Sequence, residues 1–172
     1  MSDKVYDFDE QLAIGEEAEK VLDKYFERWY RVEPVGMAEQ RQGIDRVFTK
    51  PDGTKVTVEY KSDFQASRTG NAFIETEIAS RDGVGIKGGW ARTCKADLLV
   101  YWVVGQELLV LVPNDLRIRV DQWENLHRSV TVPNPSWVAA GTLVPLAELR
   151  LIAIHQASVP LLSLPSPEST TG

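Results

Sequence analysis

Two runs of β-forming residues, 43–50 and 54–61, are separated only by Pro51-Asp52-Gly53, which predicts a tight β-hairpin. Side chains alternate between the faces of a strand. Val56, Val58 and Tyr60 therefore share one face of the second strand, and Thr57, Glu59 and Lys61 share the other. The first face is apolar and belongs against a core. The second carries an acid and a base two residues apart, and a folding argument alone does not account for it.

The hairpin sits inside a longer alternation of elements. Upstream, 10–30 reads as an amphipathic helix: Ala18, Val21, Leu22, Tyr25, Phe26 and Trp29 recur at helical spacing. Glu16, Lys20, Asp23, Lys24 and Glu27 fall on the far side, while Glu19 lies at the border of the apolar stripe. Downstream, a strand is expected at 72–78, with Ala72, Ile74 and Ile78 opposing Phe73, Glu75 and Glu77. The glycine-rich stretch 81–93 reads as a loop, with a short helix from Trp90 to Lys95. Leu98–Val104 and Glu107–Val112 form a buried hairpin turning at Gly105-Gln106. After Pro113, Asn114 is the expected cap of a helix carrying Leu116, Val120 and Trp123. A last strand is expected near 138–144 and a further element at 146–155.

This order describes one α/β domain over 1–159, followed by a Pro/Ser/Thr-rich tail, 160–172, whose composition predicts disorder. No apolar run approaches the roughly 18 residues of a membrane span. The start, MSDKVYDFDEQ, lacks a basic segment followed by an apolar one. A cytoplasmic protein without membrane partners is expected. The single cysteine, Cys94, excludes an internal disulfide and a cysteine-based zinc cluster. The net charge of −6 is unusual for a protein that handles phosphates, but it is unevenly placed. Residues 1–31 hold nine acids and five bases, whereas 61–97 hold five acids and six bases.

The chemistry concentrates in Gly43-Ile44-Asp45, thirteen further residues, and then Glu59-Tyr60-Lys61. An acid opens one strand; an acid and a lysine share a face of its partner. Two carboxylates converging on a strand pair suit a hard cation such as Mg²⁺ or Mn²⁺, which takes oxygen ligands and keeps waters. An ammonium beside them can orient an attacking water and stabilise charge developing on a phosphate.

The pattern resembles that of the PD-(D/E)xK nuclease superfamily, with Gly43-Ile44 in place of the proline before the first acid. Gly15-Glu16-Glu17-Ala18-Glu19-Lys20 is similar to the helix start of archaeal Holliday-junction resolvases, whose Gly-x-x-Ala-Glu glutamate joins the metal site. The likeness covers 12–63. Beyond it, Thr69-Gly70-Asn71-Ala72-Phe73-Ile74-Glu75 and Ala96-Asp97 look more like phage and prophage nuclease-like proteins. The resemblance implies a restriction-endonuclease-like αβββαβ core with a mixed sheet flanked by helices. It implies a Mg²⁺-dependent endonuclease acting on DNA, branched or phage-related, with Asp45, Glu59 and Lys61 as catalytic residues, Glu19 as the fourth, and Asp45, Glu59 and Glu19 as the metal ligands. A catalytically silent module of the same fold, binding nucleic acid or a protein, is the alternative.

Arg81, Lys87, Trp90, Arg92 and Lys95, set among flexible glycines, are the candidate nucleic-acid contacts: cations for phosphates and an indole for stacking. Packing of Trp90 onto the core is the competing explanation for that residue. A second copy of the chain is a further candidate partner. Glu75, Glu77 and Asp63 lie near enough in sequence pattern to reach the site, or to act as ordinary surface charges.

Overall fold

The computed structural model describes residues 8–159, so the Pro/Ser/Thr-rich tail lies outside the described residues. The chain is mixed α/β. It begins with α1 (Phe8–Phe26), β1 (Arg31–Pro34), α2 (Met37–Gln40), β2 (Arg46–Thr49) and β3 (Lys55–Asp63). There follow α3 (Ala66–Thr69), β4 (Asn71–Ser80), β5 (Ile86–Gly88), α4 (Trp90–Thr93), β6 (Leu98–Val103) and β7 (Glu107–Leu111). The last elements are α5 (Pro113–Leu126), β8 (Ser129–Pro133), β9 (Trp137–Pro145), α6 (Leu146–Ile152) and β10 (His155–Ser158).

Two sheets organise these elements. The central one is mixed, with strand order β1-β2-β3-β6-β7-β10; β3 and β6 run parallel and every other pair is antiparallel. A parallel neighbour needs a crossover, and here it is the whole segment from α3 to α4. The second sheet, β5-β4-β9-β8, is antiparallel throughout.

Strand alternation divides the central sheet into two packed faces. Val58, Tyr60, Val100, Trp102, Leu108 and Val110 point toward α1, where they join Ala18, Val21, Leu22 and Phe26. Leu99, Tyr101, Val103, Leu109 and Leu111 point the other way, onto Ala72, Ile74 and Val144 of the second sheet and the apolar sides of α5 and α6. Glu59 and Lys61 pair in register with Leu99 and Tyr101 and so share this second face. The acid and the base of β3 therefore face the second sheet, with Glu59 buried and Lys61 half-buried.

Several local expectations are corrected. Helix α1 stops at Phe26, where Trp29 and Tyr30 N–H both donate to the Phe26 carbonyl, and Trp29 is 52% exposed rather than part of the apolar stripe. The chain turns there because Arg31–Pro34 leaves to pair with β2. The cap of α5 is Val112, with Pro113 in the first helical turn, where its missing N–H costs nothing. Asn114 is already inside the helix, and its amide oxygen accepts from Arg117. In β4, by contrast, Ala72, Ile74 and Thr76 are buried and Glu77 is exposed, in keeping with the expected alternation, although the pairing with β9 is irregular between Glu75 and Glu77.

Candidate functional site

The β2–β3 hairpin brings Asp45 and Glu59 together. Its turn closes through Lys50 N–H to the Thr54 carbonyl (2.8 Å) and Gly53 N–H to the Lys50 carbonyl (2.9 Å), with Gly53 at φ 86°. The register that follows pairs Arg46 with Val58, so Asp45, one step earlier, stands opposite Glu59 on the same face. Asp45 N–H donates to the Val58 carbonyl (2.8 Å), and Tyr60 N–H donates to Asp45 Oδ2 (2.8 Å). The carboxylate thus takes the N–H that would otherwise seek a strand carbonyl, and its position is fixed by the backbone of β3.

Asp45 is reached through Gly43, whose φ of 70° favours glycine. A Cβ there would come 3.0 Å from the Cys94 Cα, so this glycine also permits close approach to the end of α4.

Glu59 is the most constrained acid of the site. It is 4% exposed, its Oε1 lies 2.5 Å from Lys61 Nζ, and its buried Oε2 has no hydrogen-bond partner among the described residues. Burial is the main reason that its carboxyl is pushed up to about 7; Asp45 adds to the rise and Lys61 opposes it. Lys61 keeps 31% side-chain exposure. Burial disfavours its charge, but Glu59, Asp45 and Glu75 outweigh this and raise it above the usual lysine value. The ammonium therefore stays charged at neutral pH.

The opposite wall comes from the second sheet. Glu75 on β4 accepts the Trp90 N–H at 3.1 Å, and burial raises its carboxyl above the ordinary range. Gly89 makes this contact possible: a Cβ on it would stand 2.6 Å from the Glu75 carbonyl oxygen. Trp90 is half-buried, packs 6.2 Å from the Tyr101 ring, and has Lys61 Nζ 5.9 Å from its centroid. Cys94, buried beside Gly43, has its thiol raised, first by burial and also by Glu59.

Glu19 is placed elsewhere. Its Oε2 accepts from Arg46 Nη2 at 2.8 Å on the α1 side of the sheet. Arg46, only 8% exposed, also holds Asp23 through Nε (2.8 Å) and Nη2 (3.0 Å), and donates from Nη1 to the backbone carbonyl of Asp45 (2.9 Å). Tyr60 completes the cluster by donating its hydroxyl to Asp23 Oδ1 (3.1 Å). Arg46 is the residue that sequence reasoning missed. Its signal was present: by alternation it faces the apolar side, beside Phe48, where a lone cation needs partners.

The basic candidates separate into two groups. Arg81, Lys87 and Lys95 are exposed. Arg92 is bound by Asp121 (2.9 Å) and Glu124 (2.7 Å) of α5, and this pairing ties α4 to α5. Asp63 is occupied by four donors: Gln65 and Ala66 N–H, Phe73 N–H and the Tyr101 hydroxyl. It fastens α3 and β4 to β6. No helix among the described residues is long and apolar enough to cross a membrane. Comparison of the chain with protein-family models, with curated proteins and with solved structures finds no match.

Proposed function

We propose that this chain is a metal-dependent nuclease of the PD-(D/E)xK type, hydrolysing phosphodiester bonds in DNA at Asp45, Glu59 and Lys61. The observation that carries the proposal is the buried, unpartnered Oε2 of Glu59 opposite Asp45, with an ammonium on the other oxygen. A buried carboxylate oxygen without a donor is costly, and two acids facing each other raise that cost. A divalent cation held by both would relieve it.

The donor set is all oxygen, which suits Mg²⁺ or Mn²⁺. Among the described residues no group of three or more His, Cys, Asp or Glu side chains is gathered to hold a metal. Asp45 and Glu59 would therefore act as a pair with water completing the shell, the arrangement that Mg²⁺ favours. Bound there, the cation supplies Lewis-acid polarisation of a phosphoryl oxygen and acidifies water.

The remaining work falls to the protein. Lys61 presents a permanent positive charge at the mouth of the pair, where negative charge builds on phosphorus during attack. Trp90 and the Glu75–Trp90 contact wall off one side of that ammonium, and so limit its access to solvent. Along the chain α1, β1, β2, β3, the one-turn α4 and β6 occur in that sequence, with α2, α3, β4 and β5 interspersed, and β6 is parallel to β3; this is compatible with the αβββαβ core that the resemblance implies.

Isothermal titration with Mn²⁺ tests the metal site. The wild-type chain binds it and Asp45→Asn does not. A wild-type chain without affinity for Mn²⁺ or Mg²⁺ would favour the alternative, a catalytically silent module that binds nucleic acid or protein.

A further inference from the structure

We infer that Arg46 is the positioning residue of this site, and that Glu19 acts through it as a brace for Asp45 rather than as a metal ligand. The inference rests on the proposed metal site and adds to it the device that aims its first carboxylate.

Asp45 stands just before β2 begins, where the regular ladder with β3 ends. Its own atoms carry the pairing instead. The amide is held by the Val58 carbonyl and Oδ2 by the Tyr60 amide. The peptide oxygen is held by Arg46 Nη1 at 2.9 Å. Three fixed atoms leave the residue little freedom. A pair of carboxylates can share one cation only if both stay put, since each unsatisfied rotation is an entropic and electrostatic cost of binding.

Arg46 in turn is fixed by α1. A guanidinium is planar with five donors in a rigid fork, and here the fork is used from several sides. Asp23 takes Nε and Nη2, Glu19 takes Nη2, and the Asp45 carbonyl takes Nη1. The Arg46 guanidinium also lies 5.4 Å from the Tyr60 ring centroid, and Tyr60 itself is tied to Asp23. The backbone of Tyr60 holds Asp45 on one face of the sheet while its ring and hydroxyl belong to the cluster on the other face. The packing of α1 is thereby transmitted through the sheet to Asp45.

Glu19 is 40% exposed and Asp23 is 25% exposed, so Glu19 forms the outer and Asp23 the inner anchor of the arginine. This assigns Glu19 a role different from that which the resolvase likeness implies. Its carboxylate is engaged with a cation already supplied by the chain.

The conservative variant separates brace from ligand. Glu19→Gln keeps an oxygen for Arg46 Nη2 but is a poor ligand for Mg²⁺ or Mn²⁺; Glu19→Ala removes both functions; Arg46→Lys cannot reach Asp23, Glu19 and the Asp45 carbonyl together. Two measurements on the full chain are needed: Mn²⁺ affinity by titration, and hydrogen exchange of the Tyr60 amide, which reports its bond to Asp45 without metal. Glu19→Gln is expected to match the wild type within about twofold in both. Arg46→Lys is expected to lose about 10–100-fold in Mn²⁺ affinity, the range found when a residue orienting a metal ligand is lost, and to speed exchange at Tyr60. Glu19→Ala should fall between them. If Glu19→Gln loses Mn²⁺ as completely as Glu19→Ala with Tyr60 protection intact, Glu19 is a ligand and the inference is overturned. Unchanged Tyr60 protection in Arg46→Lys also overturns it. A wild-type chain that takes up no Mn²⁺ removes the proposed function, while the exchange measurement still decides whether Arg46 holds Asp45.

Discussion

Replacing Glu59 with Gln should make the protein more stable at pH 8 and less dependent on pH. The acid is 4% exposed with one oxygen unpartnered, and its carboxyl is raised from 4.5 to about 7. Between those two values the unfolded chain has released the Glu59 proton and the folded chain still keeps it. The folded state then binds more protons, so stability falls as pH rises through this window. The rise corresponds to roughly 3 kcal/mol, at about 1.4 kcal/mol per pH unit. The cost is absent below about pH 4.5 and complete above about pH 7. Glu75, also raised by burial, adds a contribution of the same sign. Lys61 is raised from 10.5 and titrates outside this window.

The Glu59→Gln variant removes the titration but weakens the partner of Lys61, which retains Asp45 and Glu75. The roughly 3 kcal/mol is already net of the Lys61 attraction, and Gln resembles the protonated acid, so most of it is recovered. A net gain of roughly 3 kcal/mol at pH 8 is expected, shrinking to less than about 1 kcal/mol at pH 5. Urea unfolding followed by far-UV circular dichroism at both pH values measures this, and the wild-type and variant stabilities should converge toward low pH. Added Mg²⁺ should stabilise the wild type at pH 8, because a ligand bound only to the folded state shifts the equilibrium. A wild type equally stable at pH 5 and pH 8, or a variant that falls as steeply, would refute the account of Glu59.

Lys61→Ala should fold and still bind DNA with metal present, while cleavage falls about 10²–10³-fold, the scale for one preorganised electrostatic donor; single-turnover kinetics beside a binding isotherm separates the two effects. Replacing Arg81, Lys87 and Lys95 together with Ala should flatten the salt dependence of DNA binding by roughly one unit of slope for each phosphate no longer neutralised. Arg92→Ala should leave that slope unchanged, because Asp121 and Glu124 already occupy Arg92. Gly89→Ala should destabilise the fold by about 1–3 kcal/mol, through overlap with the Glu75 backbone, and shift the Trp90 fluorescence.

The parts of this fold that could be read from sequence are those with a strong period or a strong turn. The β2–β3 hairpin, the β6–β7 hairpin and the apolar faces of α1 and α5 are of this kind, because each repeats its pattern over several residues. Strands β1, β5, β8 and β10 were not legible. They are three to five residues long, polar or mostly exposed, and exist because a neighbour offers a free edge. Such strands are specified by long-range pairing, which no local window contains. The convergence of Asp45, Glu59 and Lys61 on one face follows from alternation and turn position alone. The partners of Glu19 do not. Its helical border position fits a cleft or a buried ion pair equally, and only the fold places Arg46, twenty-seven residues on, against it. Trp90 was open between stacking a base and packing on the core; it is half-buried against Tyr101 with Lys61 beside it.

The central claim is tested most directly by cleavage. Labelled single-stranded, duplex and branched DNA should be incubated with the wild-type chain and with Asp45→Asn, in Mg²⁺, in Mn²⁺ and in EDTA. The account predicts cleavage of at least one of these DNAs by the wild type with either metal, none in EDTA, and none by Asp45→Asn under any condition. Cleavage that persists in EDTA or in Asp45→Asn, or a wild type that cuts none of the three with metal present, would contradict it.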